Sequence, residues 1–204
     1  MILDVKDLVV RRGGRTIVAG IGLHGDAGEI VGITGKNGCG KSTLLLAIAG
    51  VLQPTEGRVT IDGHNVWGTA KQRRDSRRVL GYVPEAADPP GFLLGGELWG
   101  MVAGARGVER PSPNLIAALG LEDLRDVALD RMSLGQRRRA CLAAALLGPP
   151  HLLVLDEPDN GLDGKHATAL ADLLIAHRVA GQCAVVATHD RELLARIGAR
   201  EVRL

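Results

Sequence analysis

The sequence contains very few aromatic residues and few cysteines. One phenylalanine, one tyrosine and two tryptophans are present, although hydrophobic residues make up 46% of the 204 residues. The core must therefore consist mainly of leucine, valine, isoleucine and alanine, which is typical of an α/β domain with buried parallel strands. The three cysteines show no Cys-x-x-Cys spacing and cannot all pair with one another. We therefore expect a reducing, cytoplasmic setting.

Long apolar runs and a large excess of one charge are also missing. The longest apolar stretches, such as LLLAIAG, are too short to span a bilayer. The first ten residues lack the pattern of a signal peptide. The formal net charge is only +2, so we expect no nucleic-acid partner. The basic stretch Lys71–Arg78 has no interleaved aromatic residues, and we expect it to form a solvated loop.

Strand-like and helix-like segments alternate along most of the chain. Two strand-like segments separated by Arg-Gly-Gly come first, and short apolar strands then alternate with helices. This alternation predicts a mostly parallel sheet. Residues 86–130 are rich in Gly, Pro, Ala and Leu and carry short helical stretches, which we interpret as an inserted helical lobe. We expect one domain over residues 1–204, with a core made of residues 1–85 and 131–204.

A glycine-rich loop is the most specific single motif. The segment GKNGCGKS fits the pattern G-x-x-x-x-G-K-[ST] between a predicted strand and a predicted helix. Its glycines let backbone N–H groups turn toward phosphate oxygens, Lys41 reaches the terminal phosphates, and the Ser42 hydroxyl ligates Mg²⁺. This context favours a phosphate-binding loop over a structural glycine turn. The predicted nucleotide-binding residues of the loop are Gly35, Lys36, Asn37, Gly38, Cys39, Gly40, Lys41, Ser42 and Thr43.

Two later apolar strands end in residues that carry chemistry. Asp156 follows the strand Leu152–Leu155, at the sheet edge where ligands bind in open α/β sheets, and is predicted to hold Mg²⁺. Glu157 is the next residue, so its side chain is expected to point in a different direction from that of Asp156. It is predicted to polarise an attacking water. The segment ATHD ends the next strand and brings His189 to the same edge, near the terminal phosphate. A solvent-facing acidic pair is the alternative interpretation, which the nearby phosphate loop disfavours.

The polar motif MSLGQ precedes a predicted helix, Gln136–Leu147, far downstream of the phosphate loop. The first turn of a helix is rich in free N–H donors and carries a partial positive charge, which suits contact with an anion. A simpler interpretation is that Ser133 caps the helix while Arg137–Arg139 form a solvated face. The two interpretations are compatible.

Taken in order, the phosphate loop, MSLGQ, LLVLDEP, NGLD and ATHD resemble the nucleotide-binding domain of ABC-type ATPases over essentially the whole chain. The resemblance implies a P-loop NTPase fold of class α/β, with an N-terminal antiparallel β subdomain and an inserted α-helical subdomain. It also implies ATP and Mg²⁺ as cofactors and a head-to-tail dimer. In that dimer the signature motif MSLGQ, through Ser133, Gly135 and Gln136, contacts the nucleotide of the other chain. Asn160–Asp163 resembles the D-loop that links the two sites.

Three positions depart from the family's pattern. Leu134 stands where the signature motif usually has glycine. Arg12 occupies the place of an aromatic residue that stacks on adenine, and a guanidinium can also stack on a base. Glu85 replaces the glutamine of the Q-loop, and a carboxylate there can approach Mg²⁺ or the attacking water. We therefore include Arg12 among the nucleotide-binding residues and Glu85 among the catalytic and metal-binding residues.

The segment YVPE, followed by a proline-rich stretch, resembles the ATPase subunits of exporters whose membrane subunit is a separate chain. We predict an ATPase that forms a homodimer, or a heterodimer with another ABC subunit. It would act on a separate transmembrane permease at the inner face of the cell membrane. The stretch around Phe92 and Trp99 either packs within the lobe or receives a helix from that permease. The alternative function is a soluble ABC ATPase of an assembly complex, for example in iron–sulfur cluster assembly.

Overall fold

Nine β-strands and seven α-helices make up the fold in the computed structural model, which describes residues 1–204. The strands are β1 (Leu3–Arg12), β2 (Arg15–Gly25), β3 (Ile30–Thr34), β4 (Glu56–Ile61), β5 (His64–Asn65), β6 (Leu80–Val83), β7 (Leu152–Asp156), β8 (Cys183–Ala187) and β9 (Arg200–Arg203). The helices are α1 (Lys41–Ile48), α2 (Ala70–Arg78), α3 (Gly95–Arg106), α4 (Pro113–Ala118), α5 (Leu134–Ala145), α6 (Gly164–Val179) and α7 (Arg191–Ile197). Two 3-10 turns, Glu122–Leu124 and Leu129–Arg131, precede α5.

A five-stranded parallel sheet with the order β6-β7-β8-β3-β9 forms the centre of the fold. Strand β7 is buried on both faces. Its residues Leu153 and Leu155 pack with α5, α6 and α7, whereas Leu152 and Val154 pack with α1 and the second sheet. Strands that are buried on both faces consist of consecutive apolar residues, so β7 and β8 can be predicted from the sequence. The predicted, mostly parallel sheet is confirmed.

The second sheet is antiparallel and has the order β2-β1-β4-β5. Strand β1 alternates buried and more exposed residues at its start, as expected when one face packs on a core and the other faces solvent. The turn between β4 and β5 is formed by Asp62 and Gly63, which have φ angles of 48° and 75°. Positive φ at both positions suits a tight hairpin turn with an Asp-Gly sequence. This sheet is the predicted N-terminal antiparallel subdomain.

The prediction of a solvated loop at Lys71–Arg78 is wrong, because the whole stretch lies in helix α2. Thr69 caps the helix: its side chain accepts the backbone N–H of Gln72, while the Gln72 side chain accepts the backbone N–H of Thr69. Such a reciprocal cap compensates for the few apolar residues of the helix. Arg77 and Arg78 lie in its last turn, where positive charge is favourable.

Between β6 and α5 the chain forms helices α3 and α4 and the two 3-10 turns. The segment Glu122–Val127 forms only the 3-10 turn Glu122–Leu124, since the carbonyls of Arg125 and Val127 accept the N–H groups of Gly96 and Gly95 at the start of α3. These carbonyls are therefore not free to continue a helix. Trp99 packs within this region and donates its indole N–H to the Ala140 carbonyl of α5 at 3.0 Å.

Candidate ATP-binding and hydrolysis site

The glycine-rich loop connects β3 to the N-terminus of α1. Gly40 has a φ of 106°, and a Cβ at this position would lie 2.8 Å from the carbonyl oxygen of Ile17. Glycine is therefore required here both by the backbone conformation and by the close approach of β2. Gly38 also has a positive φ, of 77°. These turns place the backbone N–H groups of the loop at the N-terminus of α1, which suits phosphate binding.

Lys41 follows the loop and is buried at the start of α1. Its ammonium group donates to the carbonyl oxygens of Gly35 at 3.0 Å and Lys36 at 3.3 Å. It also lies 3.2 Å from Nε2 of His189. The ammonium charge is thus held over the loop, at the sheet edge where β7 and β8 end.

Glu157 follows the last residue of β7 and is buried. It has a φ of 45°, in the left-handed region that non-glycine residues seldom occupy and that is often found at functional sites. Its carboxylate lies 3.3 Å from Nε2 of His189 and accepts the His189 backbone N–H at 3.3 Å. Burial raises the pKa of Glu157, and the neighbouring His189 partly offsets this rise. A carboxylate with a raised pKa is suited to accept a proton near neutral pH.

Asp156 lies at the carboxyl end of β7 and is only 2% exposed. Burial raises the pKa of Asp156, while a hydrogen bond from Ser42 lowers it. Its Oδ1 atom is buried without a hydrogen-bond partner. A buried carboxylate oxygen without a partner, next to a hydroxyl, fits a Mg²⁺ ion that takes one or two protein ligands and completes its shell with phosphates and water. No group of three or more His, Cys, Asp or Glu side chains forms a metal cage in the protein.

A polar cleft of about 530 Å³ collects most of the predicted site residues. Those that line it are Asn37, Gly38, Gly40, Lys41, Ser42, Thr43, Glu85, Glu157 and His189. Gly35 and Lys36 line an adjoining cleft that shares Asn37 and His189. The first cleft also contains Asn160, the first residue of the predicted D-loop, and Asp159, for which the sequence predicted no role. Asp159 is held there by the Thr188 hydroxyl, which donates to its carboxylate at 2.8 Å.

Arg12 lies apart from these clefts. It is exposed at the end of β1 and pairs with Arg15 across the hairpin that contains Gly13 and Gly14. Ile17 of β2 lines the phosphate cleft instead and is its only hydrophobic lining residue. The sequence offered no signal for Ile17, because its place depends on how the second sheet packs against the loop. A stacking role for Arg12 stays a prediction.

The signature residues form the start of α5 and do not line the cleft of their own chain. Ser133 caps the helix, accepting the Gln136 backbone N–H, while the Gln136 side chain accepts the Ser133 N–H. A Cβ on Gly135 would lie 2.6 Å from the Gly161 carbonyl oxygen, so the signature and the predicted D-loop are in close contact. Leu134 is 74% exposed. The predicted cap by Ser133 is confirmed.

The prediction that Arg137–Arg139 form a solvated face is wrong. Arg138 is only 5% exposed. Arg137 and Arg139 are partly buried and donate to the backbone carbonyls of Leu129, Leu119 and Gly120. Helix α5 is covered by the sheet on one side and by the 86–130 region on the other, so its arginines satisfy carbonyls of loops on both sides. Composition alone could not reveal this.

The phosphate loop after β3, the buried aspartate at the end of β7 and the neighbouring glutamate define the site of a P-loop NTPase. Residues 18–160 match the family model described as ABC transporter. The chain belongs to this ABC family and is an ATPase.

Known relatives agree with this assignment. The cytochrome c biogenesis ATP-binding export protein CcmA of Gluconobacter oxydans is 37% identical over 92% of this chain and 81% of that protein. The cobalt import ATP-binding protein CbiO of Rhodobacter capsulatus is 38% identical over 92% of this chain and 69% of that protein. Among solved structures, the ATP-binding subunit of an ABC transporter has a TM-score of 0.92 with 28% identity, over 100% of this chain and 86% of that one. A dimeric ATP-binding cassette in a post-hydrolysis state, bound to ADP and Pi, has a TM-score of 0.87 with 26% identity, over 99% of this chain and 94% of that one.

Alkylation of Cys39 is expected to prevent ATP binding, and bound ATP is expected to protect the thiol. Cys39 lies in the loop with its Sγ atom against Gly35 and is partly exposed. An added group would therefore stand among the N–H donors that bind phosphate. Mass spectrometry after treatment with iodoacetamide, with and without ATP, measures the protection. A Cys39→Ser variant serves as the control and should retain binding after treatment. Full ATP binding by alkylated wild-type protein would contradict the prediction.

Replacement of Glu157 by glutamine is expected to raise the melting temperature at neutral pH. Burial raises the pKa of Glu157, so the folded state disfavours the ionised carboxylate. Below the pKa that Glu157 has in the unfolded chain, the folded and unfolded states are both protonated, and the folded state loses no stability. As the pH rises through the higher pKa of the folded state, the unfolded chain releases its proton more readily, so the free energy of unfolding falls. Glutamine cannot ionise, so the variant does not lose stability in this way.

Thermal unfolding of Glu157→Gln and wild-type protein between about pH 4 and neutral pH measures this effect. The difference in melting temperature should shrink toward the acid end, where both states of the wild-type chain bind the proton. A difference independent of pH would show that burial of this charge does not cause the effect.

Proposed function

We propose that this chain is the ATP-binding and hydrolysing subunit of an ABC transporter, closing head to tail with a second ABC subunit around two ATP molecules and driving a separate membrane permease. The observation that carries the proposal is the position of His189, which lies 3.2 Å from Lys41 and 3.3 Å from Glu157 at one sheet edge. In the same proposal residues 1–85 and 131–204 form the ATP-binding core and residues 86–130 form the helical lobe.

Each residue of the cleft has a distinct role in the proposed hydrolysis. The backbone of the glycine loop and the Lys41 ammonium hold the phosphates, while His189 contacts the terminal phosphate or the attacking water. Glu157 accepts the proton of that water. Ser42, Asp156 and Glu85 are the groups that would hold Mg²⁺, which supplies positive charge against the phosphates when it is bound.

The position of the signature motif supports the head-to-tail dimer. Ser133 and the N–H of Gly135 lie at the donor-rich start of α5, outside the cleft of their own chain. A second chain is needed to bring such a motif onto a nucleotide held by the phosphate loop. Two of the similar solved structures are dimeric cassettes. The second subunit is a copy of this chain or a related ABC subunit.

An apolar groove beside the cleft is the proposed docking surface for a permease helix. It is about 380 Å³ in volume, and ten of its fifteen lining residues are hydrophobic. Among them, Ala87 follows the Q-loop position, Leu98 and Val102 belong to α3, and Ala144 belongs to α5. Phe92 lies nearby in sequence and is 77% exposed. We infer that this surface, with Phe92 at its margin, holds the chain at the inner face of the cell membrane.

The proposal assigns the membrane-spanning part of the transporter to a separate permease. No helix of the structure combines the length and apolarity needed to cross a bilayer. The similar proteins include one named for export and three named for import. The export direction is therefore supported by the YVPE resemblance alone. No feature specifically favours the soluble assembly ATPase, which becomes the alternative outcome of the test.

Co-purification tests the proposal. Tagged Glu157→Gln protein, which is expected to keep ATP bound, is expressed in its native host and extracted from membranes with a mild detergent in the presence of ATP. Mass spectrometry should identify a membrane protein with several spans at a fixed stoichiometry to the tagged chain. The stoichiometry of ABC subunits in the complex separates a homodimer from a heterodimer.

Matched surface variants locate the contact. Ala87→Glu places a charge in the apolar groove and should release the membrane protein, whereas Val51→Glu changes a residue that is already 61% exposed and should not. Recovery of a soluble partner, or of an ABC dimer absent from membranes, would contradict the transporter proposal.

A further inference from the structure

Arg138 of helix α5 bonds to the backbone of both segments that carry the acidic side chains of the site. One terminal nitrogen of its guanidinium donates to the carbonyl oxygens of Pro84 at 2.6 Å and Glu85 at 2.8 Å. The other donates to the carbonyl oxygens of Asp156 and Glu157, each at 2.5 Å. The side chain is almost wholly buried.

These bonds stand where the sheet no longer connects the two segments. Strands β6 and β7 are paired in register only as far as Val83 and Leu155. Beyond that pair the segments carrying Glu85 and Glu157 no longer bond to each other, although β7 stays paired with β8 through Asp156, and buried carbonyl groups between the two segments need other donors. Arg138 supplies four such bonds and thereby replaces the missing part of the ladder.

The chemistry of the guanidinium suits this task better than that of any other side chain. It is planar, permanently charged and presents its donors in a fixed fork, so each terminal nitrogen can serve a pair of acceptors at a defined spacing. A lysine ammonium could carry the charge but could not span both pairs of carbonyls. The same charge lies among the carboxylates of Glu85, Asp156 and Asp159, which favours its burial.

We propose that Arg138 is a positioning residue for ATP hydrolysis, which fixes the Glu85 segment and the Asp156–Glu157 segment relative to one another and to helix α5. The inference rests on the proposed roles of Glu85, Asp156 and Glu157. It also connects the signature motif, which contacts the partner's nucleotide in the proposed dimer, to the acidic residues of its own chain. The signature begins the helix at Ser133, and Arg138 lies just over one turn later, so a displacement of α5 by the partner's nucleotide reaches the carboxylates of its own chain.

Arg138→Lys is the test, with Arg139→Lys as the matched control on the same helix. Arg139 also donates to two backbone carbonyls, those of Leu119 and Gly120, but these lie outside the cleft. Arg138→Lys should lower kcat by about 10–100-fold with KM for ATP unchanged, because misplaced catalytic groups slow the reaction without loss of substrate contacts. Arg139→Lys should keep the kcat of the wild type. Rates are expressed per folded molecule from thermal unfolding of each variant.

The outcomes separate this inference from the proposed function. An unchanged kcat in Arg138→Lys, a rise in KM alone, or an equal loss of kcat in both variants would overturn the positioning role. If Arg138→Lys does not fold, Arg138→Gln, whose amide keeps two donors, provides the same comparison. Glu157→Gln is measured in the same assay: normal turnover in that variant defeats the proposed base, whereas its inactivity together with an active Arg138→Lys defeats only the role of Arg138.

Discussion

Glu157→Gln is expected to lower the rate of ATP hydrolysis by about 10²–10⁴-fold while leaving ATP binding intact. Glutamine has nearly the shape of glutamate, and its amide oxygen can still accept the His189 backbone N–H. It cannot accept a proton from the attacking water. Phosphate release at saturating ATP measures turnover, and equilibrium binding of a fluorescent ATP analogue measures affinity.

A control variant separates the loss of a base from a general effect of removing a carboxylate. Glu192 lies exposed in the first turn of α7 and does not line the cleft. Glu192→Gln should therefore hydrolyse ATP at the wild-type rate. If Glu157→Gln also hydrolysed ATP normally, the proton would have to be accepted elsewhere, and the assignment of Glu157 would be wrong.

The parts of this site that sequence predicts are those set by local structure. The glycine loop needs only its own residues and the helix that follows, so its pattern alone places Lys41 and Ser42. Asp156 and His189 can be placed because each ends a short apolar strand, and parallel strands bring their carboxyl ends to one edge. The cap formed by Ser133 is likewise a local interaction between residues three positions apart.

The parts that sequence does not predict depend on residues distant along the chain. Arg138 stands in a run of three arginines that resembles a solvated helix face, and its burial follows from the packing of α5 against β6 and from its bonds at the end of β7. Ile17 meets the phosphate loop because the antiparallel sheet packs over α1, which no local pattern records. Helix α2 differs, because its capping box is a local feature of the sequence. The many charged residues of the stretch favoured the incorrect prediction of a solvated loop.

Gly135→Ala is expected to lower ATP hydrolysis by about 10²–10³-fold, the loss typical when a donor to a charged transition state is displaced. A Cβ at this position would lie 2.6 Å from the Gly161 carbonyl oxygen, a distance that real side chains do not tolerate. Either the D-loop or the start of α5 must move, and the proposed donors to the partner's phosphate move with it. ATP binding by a single chain should persist, because Gly135 does not line the cleft of its own chain.

Gly164→Ala provides the control, since Gly164 also lies at the start of a helix, α6, and a Cβ there meets no atom within 4 Å. It should hydrolyse ATP normally. In the Glu157→Gln background, analytical ultracentrifugation with ATP should show that Gly135→Ala weakens the dimer and that Gly164→Ala does not. Normal hydrolysis by Gly135→Ala would mean that the signature and the D-loop do not act together. Loss of ATP binding by the isolated chain would instead place Gly135 in the site of its own chain and would remove the main argument for a shared site.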